Sequence, residues 1–205
     1  MRALETNLSF TPYELKMKEY AKENNVPIIL DEGLSFLEMI IKIKQPKKVL
    51  EIGTAIGYSA TRITRVCNSE VYTIERDLKM YNEALNNIKN QGLEDKVHLI
   101  FKDALEAFDL VKDNQFDLIF IDAAKSQYIK FFETYTPLLS ESGVVVSDNM
   151  EFHGLIDNPK DDISRNLKAM LRKLRGYHTY LLENKDFDSV IYNQVGDGMA
   201  VSIKK

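Results

Sequence analysis

Apolar runs of strand length recur along the chain at Lys48 to Ile52, Val71 to Ile74, Val97 to Phe101, Phe116 to Ile121 and Val144 to Val146, with helical segments between them. Such alternation predicts a parallel sheet, and strands that are apolar at nearly every position predict helices on both of its faces. Beyond the fifth run, Ile163, Leu167, Met170, Leu174, Tyr177 and Leu181 step by four and three. That spacing predicts a long helix from about Asp161 to Asn184. Gly176 interrupts it; a mid-helix glycine costs roughly 1 kcal/mol relative to alanine and marks the place for a bend. Ser189 to Asn193 and Met199 to Ile203 read as two strands joined by the turn formers between Gln194 and Gly198. Near the N-terminus, Thr11 and Pro12 open a helix whose incomplete apolar face is Leu15, Tyr20 and Ala21, and Val26-Pro27 closes it. A second helix from Asp31 to about Ile43 turns Leu34, Leu37, Ile40 and Ile41 inward. The expected architecture is a doubly wound α/β sheet of seven strands, mostly parallel with the last antiparallel. A single domain of 1–205 is expected, with residues 1–45 as its N-terminal helical part.

Composition adds limits. With 205 residues, 44% of them hydrophobic, the chain can bury one good core. It has no apolar run long enough to span a bilayer and no secretory leader pattern, so no membrane association is expected and the cytoplasm is the default location. The single cysteine, Cys67, has no internal disulfide partner and reads as a helix-packing residue. The formal net charge of −4 argues against wholesale coating of nucleic acid but leaves room for a local basic patch.

Candidate chemistry gathers at the strand ends. Glu51, Glu75, Asp103, Asp122 and Asp148 close the five apolar runs, and ligands of open α/β sheets collect at the carboxyl ends of strands. The segment Glu51-Ile52-Gly53-Thr54-Ala55-Ile56-Gly57-Tyr58-Ser59 is a strand end, a glycine turn and a helix start. Its Gly-x-x-x-Gly spacing lacks the second and third glycines of a dinucleotide fingerprint, which argues for a nucleoside without a pyrophosphate and so suggests S-adenosylmethionine. Gly53 lets backbone approach the methionine part, and Glu51 either accepts from polar donor groups or orients the turn. Gly57, Tyr58 and Ser59 lie at the helix start, Glu75 falls where a carboxylate takes the ribose diol, and Asp103 with Ala104 faces the adenine edge. Asp122, Asp148 and Asn149 together offer two carboxylates and an amide oxygen, a set suited to a hard divalent cation such as Mg²⁺ or Mn²⁺. Lys125 either takes the acceptor's proton or positions the acceptor. His98, His153 and His178 stay outside the catalytic set.

Glu51-x-Gly53 with Gly57-Tyr58-Ser59, then Ile121-Asp122-Ala123-Ala124-Lys125, then Ser147-Asp148-Asn149, resembles the cation-dependent O-methyltransferases of catechol and caffeoyl-coenzyme A type. The ending Val195-Gly196-Asp197-Gly198-Met199-Ala200-Val201-Ser202-Ile203-Lys204 is similar to the bacterial tRNA 5-hydroxyuridine branch of that family. The resemblance implies a Rossmann-like fold, S-adenosylmethionine, a divalent cation that draws in Asp122, Asp148 and Asn149, catalytic roles for Lys125 and Asp122, and a homodimer. It also implies a hydroxyl acceptor with a neighbouring oxygen, which both catechols and 5-hydroxyuridine at the tRNA wobble position supply. Arg165, Lys168, Arg172 and Arg175 fall three, four and three apart on one helix face, with Lys160 and Lys173 nearby. This face could grip the phosphates of a tRNA anticodon region, and it tilts the expectation toward tRNA over a small catechol. A non-catalytic cofactor- or RNA-binding module is the remaining alternative. The chain departs from the family's pattern at Met150-Glu151-Phe152-His153-Gly154, where an acid follows the expected cation ligands, and at Tyr177-His178.

Overall fold

The computed structural model describes residues 6–156 and 162–205. Helices α1 (Pro12–Glu23) and α2 (Asp31–Lys44) precede β1 (Lys48–Ile52), α3 (Tyr58–Cys67), β2 (Glu70–Glu75), α4 (Leu78–Asn90) and β3 (Val97–Phe101). The short α5 (Phe108–Val111), β4 (Phe116–Ile121), a 3₁₀ turn at Lys125–Gln127, α6 (Tyr128–Tyr135) and β5 (Leu139–Ser147) follow. The long α7 (Arg165–Glu183) and the pair β6 (Phe187–Tyr192) and β7 (Met199–Lys204) complete the chain. No helix among the described residues is long and apolar enough to cross a membrane.

The seven strands form one sheet in the order β3-β2-β1-β4-β5-β7-β6. Pairings from β3 through β5 are parallel, and β7 runs antiparallel to both β5 and β6. The expected seven strands and antiparallel close are therefore present. Alternate side chains of each central strand feed opposite cores. Leu50, Ile52, Ile119, Ile121 and Val145 pack with Phe132, Leu174 and Tyr177 on one face. Val49, Val71, Leu118, Phe120 and Val146 pack with Leu34, Leu37, Ile41, Ile63 and Ile88 on the other. Chain order reverses between β1 and β4, the switch point at which an open α/β sheet leaves a crevice beyond its strand ends.

The N-terminal helix differs from its sequence reading. Thr11 caps it in a reciprocal box with Glu14, and Pro12 sits in the first turn, as expected. Its buried face, however, is Glu14, Met17 and Ala21, and Leu15 is about half exposed at 52%. The reason is Arg62 of α3, buried at 7% exposure. Its guanidinium meets Glu14 at 3.1 Å, pairs with Glu38 of α2 and donates to the Ser9 carbonyl at 2.9 Å. A buried cation needs charged partners, so an acid displaces the apolar residue from the inward face.

In α7, Ser164 caps the helix and Leu171 joins Leu174, Tyr177 and Leu181 on the buried side. The expected start at Asp161 lies outside the described residues. The helix runs through Gly176 without a break. Cys67 is half-buried, with its thiol at the Pro46 carbonyl and the Ser69 hydroxyl.

Candidate active site

Strand register brings the site together. Ile52 of β1 lies opposite both Ile74 of β2 and Ile121 of β4, and Ile121 lies opposite Ser147 of β5. The next residue on each strand is therefore Gly53, Glu75, Asp122 or Asp148, a row of neighbours spaced by about 5 Å between strands. Backbone bonds continue the ladder, from Gly53 N–H to the Ile74 carbonyl, Asp122 N–H to that of Ile52 and Asp148 N–H to that of Ile121.

A cavity of about 280 Å³ opens above this row. Gly53, Tyr58, Ser59, Glu75, Asp103, Ala104, Asp122, Lys125 and Asn149 all line it, as the sequence leads one to expect. Gly53 has φ +100, and a Cβ there would lie 2.0 Å from the Asp122 carbonyl oxygen, so only glycine fits. Ala55 N–H donates to Glu75 Oε2 at 2.8 Å, which ties the glycine turn to β2. Glu75 Oε1 accepts from the Arg76 and Asp77 N–H groups at 2.8 and 2.7 Å. Asp103 accepts from Leu105 N–H and from Arg76, and these contacts hold its carboxyl below the usual range.

Three sequence candidates, Gly57, Glu51 and the buried Asp148 described below, do not line the cavity. Gly57 caps α3 with φ +80 and packs on Ala84 of α4. Glu51 is fully buried and accepts from the Thr73 hydroxyl, which also bonds Thr54 at 2.6 Å. Burial, above all, pushes its carboxyl up to about 8. Through Thr73 it is linked to Thr54 of the glycine turn, while its Oε1 is buried without a hydrogen-bond partner.

Asp122, Lys125, Asp148 and Asn149 sit together at one end. Lys125 Nζ lies 3.8 Å from Asp122 Oδ1. Asp148 is buried, with Oδ1 accepting from the Asn149 N–H at 2.6 Å and Oδ2 unpartnered. Burial first, then the nearby Asp122, raises its pKa to about 8, and burial raises Asp122 as well. Tyr128, itself buried, donates to the Asp148 carbonyl at 3.0 Å and fixes the strand end. Among the described residues no group of three or more His, Cys, Asp or Glu forms a metal cluster; this set is two acids and an amide.

A second, wider groove of about 1210 Å³ adjoins the first and shares Val26, Pro27, Ile28, Lys125 and Asn149 with it. Lys18, Lys22, Phe152, His153 and Asp197 complete much of its wall. Asp197 was absent from the sequence candidates, since Gly196-Asp197-Gly198 carries the same signal as any hairpin turn. Val26-Pro27 reads in the sequence only as a helix end, and Ile28, Ile29 and Met80 carry no signal there, yet all five residues line the smaller cavity. The α7 candidates Arg165, Lys168 and Arg172 are exposed. Arg175 differs, because its guanidinium donates to the Ile156 carbonyl at 3.1 Å and supports the loop beside the site. Lys160 lies outside the described residues. His178 also serves that loop, meeting the Met150 carbonyl at 2.9 Å.

Comparison with known proteins agrees with this geometry. A structure from Staphylococcus aureus, provisionally named a caffeoyl-CoA O-methyltransferase, superposes with a TM-score of 0.91 at 38% identity, covering 96% of this chain and 93% of that one. The catechol O-methyltransferase of Niastella koreensis is 30% identical over 179 residues, 83% of this chain and 79% of its own. The caffeoyl-CoA O-methyltransferase of Populus kitakamiensis is 29% identical over 92% of this chain and 82% of its own. The family model described as O-methyltransferase matches residues 7–205, and the chain accordingly belongs to the O-methyltransferase family.

Proposed function

We propose that this O-methyltransferase moves the methyl group of S-adenosylmethionine to a hydroxyl that has a second oxygen beside it, and that the acceptor is 5-hydroxyuridine in tRNA. The observation that carries the reading is the Lys125–Asp122 pair, 3.8 Å apart, with Lys125 and Asn149 forming part of both cavity walls. Donor in the smaller cavity and acceptor in the larger groove would meet there, and in-line transfer depends on that alignment.

For the donor, Gly53 admits the methionine part, Tyr58 and Ser59 flank it, and Asp103 with Ala104 faces the adenine. An ionised carboxylate has about four lone-pair sites, and backbone donors already take three of those on Glu75, which leaves Oε2 free for one ribose hydroxyl. For the acceptor, the unpartnered buried Oδ2 of Asp148 fits a divalent cation, which Asp122, Asp148 and Asn149 would hold. Such a cation, when bound, lowers the pKa of a coordinated hydroxyl. Lys125 takes the hydroxyl proton or orients the oxygen toward the methyl group.

Two observations support tRNA: the groove exceeds the roughly 300–1,000 Å³ that suits small ligands, and α7 exposes Arg165, Lys168 and Arg172 beside the segment it braces. The names of the caffeoyl-CoA and catechol relatives support a small catechol as the second reading. The test is transfer from labelled S-adenosylmethionine, with Mg²⁺ and with chelator, to tRNA bearing 5-hydroxyuridine and to a catechol. Metal-dependent labelling of the tRNA is expected. Alanine at Arg165, Lys168 and Arg172 together should cut it by an order of magnitude or more, as loss of several phosphate contacts does, while catechol labelling stays constant. Labelling of catechol alone would give the protein to small-molecule methylation, and labelling undiminished by chelator would remove the cation from the mechanism.

A further inference from the structure

The loop that follows Asp148 is unusual in its backbone. Asn149, Phe152 and His153 have φ of 56°, 45° and 58°, and Gly154 has 73°. Non-glycine residues hold such conformations only where the surroundings over-determine them. The surroundings here are the turn between β6 and β7. Met150 N–H donates to the Gly198 carbonyl at 2.9 Å and Glu151 N–H to the Asp197 carbonyl at 2.8 Å. His153 N–H donates to Asp197 Oδ1, and the other carboxylate oxygen lies 3.7 Å from His153 Nδ1. The turn approaches so closely that a Cβ on Gly198, at φ +85, would lie 2.5 Å from the Glu151 nitrogen. Asp197 is buried, and with Asn149, Phe152 and His153 it lines the acceptor groove.

We infer that Asp197 is a positioning residue, whose carboxylate locks loop 149–154 in its left-handed form and so holds Asn149, Phe152 and His153 at the groove. Of the turn's three bonds to this loop, this is the one that depends on the side chain, since the other two come from main-chain carbonyls. Its importance for the cation rests on the function proposed above. The lock itself does not.

The test compares Asp197→Ala, Asp197→Asn and Gly198→Ala with the wild-type chain by three readings: hydrogen exchange at the amides of 150–154, Mn²⁺ affinity by calorimetry, and S-adenosylmethionine affinity. Asp197→Ala should speed exchange in the loop and weaken Mn²⁺ by roughly 10- to 100-fold, the usual cost of removing support from a metal ligand, with donor affinity kept. Asp197→Asn retains an oxygen for the His153 N–H and should stay near wild type. Gly198→Ala attacks the same lock through the main chain and should repeat the alanine result, which keeps the inference testable if Asp197→Ala folds poorly. Unchanged exchange in Asp197→Ala overturns the inference, as does an asparagine variant as impaired as the alanine one, for then charge matters and not the bond. Failure of the wild-type chain to bind Mn²⁺ sinks the cation reading, and the lock is then judged on exchange alone.

Discussion

Glu51 illustrates how far a single residue can be read in advance. Its place at a strand end before a glycine turn is a local fact, and so were those of Gly53, Glu75, Asp122 and Asp148, which is why sequence found them. Its depth is not local, since β1 lies between β2 and β4 and the hydroxyl that meets it, Thr73, is 22 residues away. Burial favours the neutral acid, raising its pKa from 4.5 to about 8 in the folded protein. A group raised in this way stabilises the fold most below its unfolded value, and the benefit fades as pH climbs through the folded one. Thermal unfolding of the unliganded protein should therefore show stability declining between pH 4.5 and about 8. Glu51→Gln keeps an oxygen for the Thr73 hydroxyl and should make that decline shallower, leaving the share due to Asp148 and Asp122, which burial also raises; an unaltered slope would mean that the Glu51 carboxylate is already ionised when buried. Asp197 marks the opposite limit, because its partner His153 lies 44 residues away and no spacing rule connects a hairpin turn to such a contact.

Elements were legible where one physical signal dominated. The inner strands are continuous apolar runs, and four of the five appear within a residue of their expected ends. Strand β5 starts at Leu139 rather than Val144, because Leu139 pairs with Phe116 and the ladder then passes through an irregularity before Val144 lies opposite Leu118, which apolar patterning does not signal. Helix α1 was misread at Leu15, since apolar periodicity is blind to a buried ion cluster. In α7 the glycine that suggested a bend has another consequence. Gly176 is exposed, and a Cβ there would meet nothing within 4 Å. Gly176→Ala should stabilise the protein by about 0.5–1 kcal/mol and raise Tm by roughly 1–4 °C, measured by calorimetry with activity unchanged. A fall in Tm would show that the helix needs the glycine's freedom.

At the scale of the molecule, the strand order places the crevice where chain order reverses, between β1 and β4. Pattern alone did not reveal that the segment between α1 and α2 roofs this crevice. Arg62 holds both helices to α3 through Glu14 and Glu38, so the roof is anchored to the element whose first residues line the smaller cavity. Val26, Pro27 and Ile28 thus line the smaller cavity on one side and the wider groove on the other. A shared partition imposes a timetable on two guests. On the function proposed above, a donor in the cavity backs the wall of the acceptor's groove, and a seated acceptor obstructs the donor's exit. Binding should be compulsory-ordered, with S-adenosylmethionine first on and S-adenosylhomocysteine last off. Steady-state inhibition by S-adenosylhomocysteine should then be competitive against the donor and noncompetitive against the acceptor, whereas acceptor binding at full strength without donor would show that the two arrive independently. The partition would make departure of the spent donor a step that every turnover must wait for.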